Sequence, residues 1–529
     1  MNKIKLLIIT LITPFFTFAQ EQSFSEKFDE GFGFLTQWFV NGIFAPINIA
    51  GVGVPWVLFP LIIGALFFTI YFAFPGIRLF GLAVKTVRGD YEHVEELPSD
   101  LNVVEGDSPD TIRIEGAQGE VSHFQALTAA LSATVGLGNI AGVSVAIALG
   151  GPGATLWMIL AGLMGMSSKF VECTLGVKYR EIDSTGKVYG GPMYYLSKGL
   201  KERNFEMLGK ILAVLFAIMT VGGSFGGGNM FQANQASSIF LKTFNVNTEL
   251  NNIIFGIVMA GLVGVVIIGG IKRIATVTEK IVPFMAVIYV GASLIILGIN
   301  FDVIPLAFKT IFDSAFSSTA VTGGVIGVII QGFQRAAFSN EAGIGSAAIA
   351  HSAVKTNQPA SEGIVALLEP FIDTVVICTM TALVLVVFSI NGDFVLGGAS
   401  KAVFIHSTGE SLEGVDLTSF VFEHSIPHFS YVLAFAVLLF AFSTMISWSY
   451  YGLQSWTYLF GKKNSTEVIY KVLFMVFVFV GSVVKMGHVL DFSDAMIFAM
   501  MVPNMIGLFI LFPVVKTELN RYLKAIKNN

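Results

Sequence analysis

The chain has 529 residues, of which 54% are hydrophobic and only 13% charged, with a mean hydropathy of +0.75 and a formal net charge of −5. A soluble protein of this length needs far more charge to cover its surface, so a soluble globular class is excluded and a membrane helix bundle is implied. The net charge itself decides little, because in a membrane protein the placement of charge matters more than its sum.

The chain opens with MNKIKLLIITLITPFFTFAQ, in which Lys3 and Lys5 precede a short apolar stretch and Thr17-Phe18-Ala19 precedes Gln20. This pattern predicts a signal peptide over residues 1–19, cut after Ala19. The alternative is an uncleaved extra span. Residues 20–121 then hold a periplasmic stretch with an apolar patch from Phe34 to Ile49, a first span at about 53–80 and a polar, acidic connector at about 81–121. A five-helix unit is expected over 122–300, with spans at about 123–149, 153–177, 208–240, 253–270 and 280–299. A second is expected over 301–529, with spans at about 322–349, 362–390, 428–459, 467–485 and 491–515 and a polar tail. Each run suffices for a hydrocarbon core about 30 Å thick, which roughly 20 helical residues cross. The mature chain thus has about eleven expected spans.

Basic residues collect on one side of this arrangement. With the mature N-terminus outside, inner segments hold Arg78, Lys85, Arg88, Arg113, Lys178, Arg180, Lys187, Lys198, Lys201, Arg203, Lys272, Arg273, Lys280, Lys355, Lys462 and Lys463, then Lys516, Arg521, Lys524 and Lys527. Outer segments hold little beyond Lys242, Lys309 and Lys401. That bias puts the N-terminus in the periplasm and the C-terminus in the cytoplasm of a bacterial inner membrane.

Two spans carry glycine pairs at mid-depth. The first reads ALSATVGLGNIAGVSVAIALGGPG, centred on Val135-Gly136-Leu137-Gly138-Asn139; the second has Gly343-Ile344-Gly345-Ser346. The two pairs share one offset, since 343 − 136 and 345 − 138 both equal 207. Five spans start at each pair, and an odd number makes the halves run oppositely through the membrane, an inverted repeat. Glycine lets a backbone leave helical geometry cheaply. The exposed amides and carbonyls then need a polar cavity and can serve a carboxylate and a cation. Close helix packing by small residues such as Gly138-x-x-x-Gly142 explains glycine alone equally well. The matched positions, with Asn139, Ser339, Asn340 and Glu341 alongside, favour a site. Gly136-x-Gly138-x-x-Ala141 also fits a dinucleotide-binding pattern on paper, but it lies inside a membrane span with no strand before it.

Other polar groups lie at depth. Asn229 and Gln232 sit in a glycine-rich stretch and read as helix glue or substrate contacts. Ser443, Thr444, Ser447 and Trp448 lie mid-span, where adjacent hydroxyls suit Na⁺ or bond back to their own helix. Arg335, Glu341, Glu369 and Asp373 read equally as an ion-pair cluster or a cation or proton path. Lys169 and Glu172 read as snorkelling or gate charges. Cys173 and Cys378, the two cysteines, read as apolar packing residues. The seven histidines lack HExxH spacing, no Walker A loop is present and no nucleophile–base pair stands out, so no enzyme is expected. No cofactor and no nucleic-acid partner are expected, and the oligomeric state is not legible.

The strings TVGLGNIAG, GGPGATLWM, VYGGPMYYL, FGGGNMFQANQ, QGFQRAAFSNEAGIGSA and FSTMISWSYYG together resemble the alanine-or-glycine:cation symporter family, from about residue 50 to 515. The resemblance implies an all-α, leucine-transporter-type bundle of five plus five helices with one preceding helix. It also implies Na⁺-coupled symport of a small neutral amino acid, alanine with glycine or serine as alternatives; the rival readings are an H⁺-coupled carrier or amino-acid exchanger using Glu369 or Asp373 and, from another class, a non-transporting channel or sensor. By the same resemblance, the amides of Gly136, Leu137 and Gly138 would hold the substrate carboxylate, and Asn139 and Gln232 its polar groups. Thr134, Phe333, Thr444 and Trp448 would line the pocket. Na⁺ would sit between carbonyls near Ser132 and Val135 and the hydroxyls of Ser443 and Thr444. The signal-like leader and a long outer loop at about 391–427 depart from the family's usual pattern.

Overall fold

The computed structural model describes residues 24–49, 51–96, 118–246, 248–317, 324–398, 400–484 and 487–528. The expected leader at 1–19 and most of the acidic connector (97–117) lie outside the described residues. The first helix, α1 (Phe24–Ile43), sets Phe32 and Phe39 against Phe492, with ring centroids 5.3 and 5.7 Å apart. A hairpin, Pro46–Ile49 with Val52–Pro55, leads to α2 (Leu58–Tyr71). The expected 53–80 span is cut short here. Ala73 and Phe74 take φ of 54° and 55°, left-handed values that end a helix, and Pro75 starts a separate short turn.

A reciprocal cap opens the next span. The Gln125 amide N–H donates to the Ser122 hydroxyl and the Ser122 amide to the Gln125 side-chain oxygen, both at 3.2 Å. From that cap α3 (His123–Thr134) runs to the first glycine pair and continues as α4 (Gly138–Gly150) after a 52° bend. The spans that follow are α5 (Ala154–Lys178), α6 (Glu206–Thr243), α7 (Glu249–Ile267) and α8 (Gly270–Ile299). Gly226–Met230 forms a wide π-helical turn within α6, where three successive glycines leave room for a displaced backbone.

The second glycine pair also falls at a break. Helix α9 (Gly324–Asn340) stops before Glu341 (φ 54°), Gly343 (φ 83°) and Gly345 (φ 98°), and α10 (Ala347–His351) resumes. The remaining long helices are α11 (Pro359–Ile390), α13 (Phe429–Phe460), α14 (Asn464–Val483) and α15 (Asp491–Asn528). Pro370 lacks an N–H for its helix, and a π-helical stretch Phe371–Cys378 follows it directly. The expected outer loop at 391–427 carries secondary structure of its own over part of its length. It holds a hairpin, Val403–Phe404 with Ser411–Leu412, and α12 (Val415–Ser425), whose Phe422 stacks on Tyr289 of α8 at 5.5 Å.

Among the described residues eight helices are long and apolar enough to cross a membrane, or nine with the bent pair as one span. Helices lie in all eleven expected stretches. However, α2 with 14 residues and α9 with 17 are shorter than a full crossing of roughly 20. In α5, α11 and α15, 61%, 61% and 67% of the most apolar window is buried, against 39% in α7 and 33% in α14, so the former are central and the latter peripheral. A half-buried guanidinium ties the connector to the end of the second broken span. Arg180 donates to the carbonyls of Gln118, Ser352, Val354 and Thr356 at 2.5 to 2.8 Å.

Candidate transport site

At the first bend Val135 turns extended (φ −73°, ψ 92°), and the Gly136 N–H donates to Asn139 Oδ1 at 2.8 Å, capping α4. Neither Gly136 nor Gly138 has a positive φ. Clearance explains the first glycine. A Cβ on Gly136 would stand 2.8 Å from Thr444 Oγ1 and 3.9 Å from Gln232 Oε1, so three of the expected residues meet here. Gly138 is less crowded, since a Cβ there would lie 3.7 Å from Ser339 Cα.

Helix α13 lies against α3 through hydroxyls. Thr444 Oγ1 donates to the Ser132 carbonyl at 3.0 Å, Ser132 Oγ donates to the Ser443 carbonyl at 3.3 Å, and the Ser132 and Ser447 hydroxyls bond each other. Ser443 Oγ donates to the Phe440 carbonyl at 3.0 Å. Ser132, Ser443 and Thr444 therefore come together with Ser447 as an uncharged, oxygen-rich seam, the donor chemistry a hard cation accepts, while Val135 bonds through its N–H to the Leu131 carbonyl. Among the described residues no group of three or more His, Cys, Asp or Glu is arranged to hold a metal ion.

Gln232 faces the bend from α6, just past its π-helical turn. Its Nε2 donates to the Gly227 carbonyl at 3.1 Å, while its Oε1 is buried without a hydrogen-bond partner. A buried unpaired acceptor is costly, so this atom fits a ligand that brings a donor. Trp448 fills the groove that the α6 glycines leave: a Cβ on Gly228 would lie 2.3 Å from its Cγ. Thr134 is held by its own helix, donating to the Ala130 carbonyl at 3.3 Å.

Two expected residues stand differently. Asn139 is engaged at both ends of its amide, since Nδ2 donates to Asp373 Oδ1 at 2.6 Å while Oδ1 takes the Gly136 N–H. Phe333 lies in a separate cavity of about 30 Å³ with Leu58, Leu61, Ala161 and Gly165, its ring 6.3 Å from Trp157. Sequence reasoning also missed Asp373 as the anchor of the bend. Its other oxygen accepts from Ser339 and Thr374, both at 2.8 Å. The available signal was a carboxylate in an apolar span, but its partner lies 234 residues away.

The remaining buried charges sort themselves by partner. Lys169 and Glu172 are fully buried rather than snorkelling, and Lys169 Nζ lies 2.9 Å from Glu369 Oε1. Glu341 bonds Ser346 rather than Arg335, whose guanidinium interacts with Asp494. Below Trp448 on α13, Tyr450 and Gln454 line a cavity of about 320 Å³ with Lys187, Lys272 and Lys471. Outside the spans, burial pushes the Glu120 carboxyl in that cavity wall above the usual carboxylate range.

A glycine-bent membrane span that meets uncharged oxygens and an unpaired buried amide fits a membrane transporter. The chain belongs to the sodium:alanine symporter family, whose profile matches residues 37–529. It is 40% identical over 444 residues to the sodium/alanine symporter AgcS of Methanococcus maripaludis, covering 84% of this chain and 92% of that one. It is 34% identical to the probable sodium/glutamine symporter GlnT of Bacillus subtilis, covering 78% and 80%. Among solved structures it shares a fold with MhsT in complex with L-phenylalanine, at a TM-score of 0.51 and 16% identity over 75% of this chain and 90% of that one.

Proposed function

We propose that the protein is a Na⁺-coupled symporter that carries a small neutral amino acid, alanine in the first place, into the cell by alternating access. The observation that carries this reading is Gln232 Oε1, buried and unpaired beside Gly136 and Thr444 at the bend. A zwitterion fits that place. Its ammonium satisfies the amide oxygen, and its carboxylate meets the amides at the start of α4, where a helix N-terminus favours negative charge. The Na⁺ ligands are then the carbonyls of Ser132 and Val135 and the hydroxyls of Ser443 and Thr444. Trp448 closes the side-chain end, and its bulk favours a methyl group over the larger chain that a glutamine carrier accommodates.

The two broken spans, 207 residues apart, are the first helices of two inverted five-helix repeats, with α2 preceding them. On this reading the cavity around Lys187, Lys272 and Lys471 is the cytoplasmic exit from the site, a side supported by the excess of basic residues in the loops expected there. Uptake of labelled alanine into proteoliposomes with and without a Na⁺ gradient tests the proposal. Accumulation is expected only with the gradient; accumulation independent of Na⁺ rejects it. Competition by unlabelled glycine, serine and glutamine then ranks the substrates, with glutamine expected to compete least.

A further inference from the structure

A second polar system runs through the bundle apart from the transport site. It starts at a cavity of about 240 Å³ lined by Glu92, Glu95, His123 and Lys355. His123 bonds Glu95 through Nε2 and Glu362 through Nδ1. The other oxygen of Glu362 bonds His351 Nδ1. His351 Nε2 then faces Glu369 Oε2 across 3.5 Å, and Glu369 Oε1 holds Lys169 Nζ at 2.9 Å. Acid and imidazole alternate from the cavity to Glu369 on α11, over four chain segments. The link at 3.5 Å differs from the rest, because neither His351 Nε2 nor Glu369 Oε2 has a hydrogen bond although both are fully buried.

We propose that this gap is a proton-binding site, filled from the Glu95 cavity through His123 and Glu362, so that the transporter binds and releases a proton during its cycle. A proton arriving on the Glu95 carboxylate passes to His123 Nε2 as the proton on Nδ1 leaves for Glu362. Glu362 hands its proton to His351 Nδ1, and the proton on His351 Nε2 moves to Glu369 Oε2. Each N–H or O–H bond that forms replaces one that breaks, and no electrons are exchanged. The site empties by the reverse route. Burial holds the Glu95 carboxyl above the usual carboxylate range, against the opposing pull of His123.

Charges around the site make its occupancy consequential. On α5, Lys169 also faces Glu172 and Cys173; from the second break comes Glu341; from α13, Tyr451. Arg180 acts on Glu362, Asp373 lies one turn beyond Glu369 on α11, and Tyr522 donates to Glu95 at 3.5 Å. Protonating Glu369 removes the counter-charge of Lys169 and leaves that cation to Glu172 and Glu341. Glu341 opens the break between α9 and α10, so proton loading changes the forces at a broken span. A purely structural ion-pair cluster would hold the same helices together without exchanging a proton.

The two differ in solution. In weakly buffered detergent solution with a pH dye, adding Na⁺ and alanine to the purified full-length protein is expected to release or take up up to about one proton per chain across about pH 5 to 8. His351→Gln is expected to abolish that signal and to flatten the pH profile of alanine uptake in proteoliposomes. Glu95→Gln, at the cavity, is expected to slow proton exchange several-fold in a fully folded protein. No proton signal from the wild type at any pH in that range overturns the proposal even if His351→Gln fails to fold, and so does an unchanged pH profile in a folded His351→Gln. Only the coupling rests on the transport reading. If alanine is not taken up at any pH, that reading fails; if uptake is intact and no proton moves, this one does.

Discussion

An alanine at position 136 would set its Cβ 2.8 Å from Thr444 Oγ1, inside contact distance and in the space proposed for the substrate backbone. At position 138 the nearest atoms stand at 3.7 and 3.8 Å, an ordinary contact. Gly136→Ala is therefore expected to reduce alanine uptake by about tenfold or more, equivalent to about 1.4 kcal/mol, while Gly138→Ala retains most of it. Equal loss at both would mean that backbone freedom, not clearance, sets the requirement. Gln232 belongs to the same argument. Its unpaired Oε1 can gain a bond to an ammonium, and such a bond contributes about 1.5–3 kcal/mol. Gln232→Ala should raise the KM for alanine by about tenfold or more with a smaller change in kcat. A loss confined to kcat would place this amide outside the binding step.

At the scale of the helix, the buried pair between α5 and α11 decides how firmly two central spans are joined. Removing one partner of such a pair costs about 3–5 kcal/mol, because the other charge is left alone, whereas removing both is often neutral. Lys169→Met should thus lower the Tm of the purified protein strongly, and Lys169→Met with Glu369→Gln should recover more than half of the loss. If the double variant is no better than the single one, His351 rather than Lys169 is the partner that matters to Glu369. Sequence legibility also divides at this scale. Apolar run length and glycine pairs are local, so the spans and both breaks at 135–137 and 341–346 could be read directly, as could the start of α3 beside Ser122. Pairing is not local. Lys169 and Glu369 are 200 residues apart, and Asn139 and Asp373 are 234 apart, so no spacing rule links them. Phe333 shows the same limit, since its helix passes the bend but its ring turns into the cavity beside Leu58 and Leu61. The ordered α12 over the expected loop is a tertiary effect, held by Phe422 on Tyr289.

For the whole molecule the question is how much charge crosses the membrane in one cycle. In the proposed symport alanine, a zwitterion, adds none, so one Na⁺ would move one positive charge inward. Each such charge gains about 2.3 kcal/mol from a potential of about 100 mV, roughly a fiftyfold accumulation ratio. With Na⁺ equal on both sides of proteoliposomes, an inside-negative K⁺ diffusion potential should therefore drive labelled alanine inward by itself. The equilibrium ratio is expected to rise about fiftyfold for each 100 mV if a single charge moves. A steeper dependence would add a second translocated cation; the proton held between His351 and Glu369 leaves by the route it entered and moves no net charge, so His351→Gln is expected to leave the slope unchanged. A ratio indifferent to potential would mean electroneutral exchange. In that case the proposed oxygen ligands of Ser132, Val135, Ser443 and Thr444 would not be carrying a cation through the cycle, and symport would be ruled out for this protein.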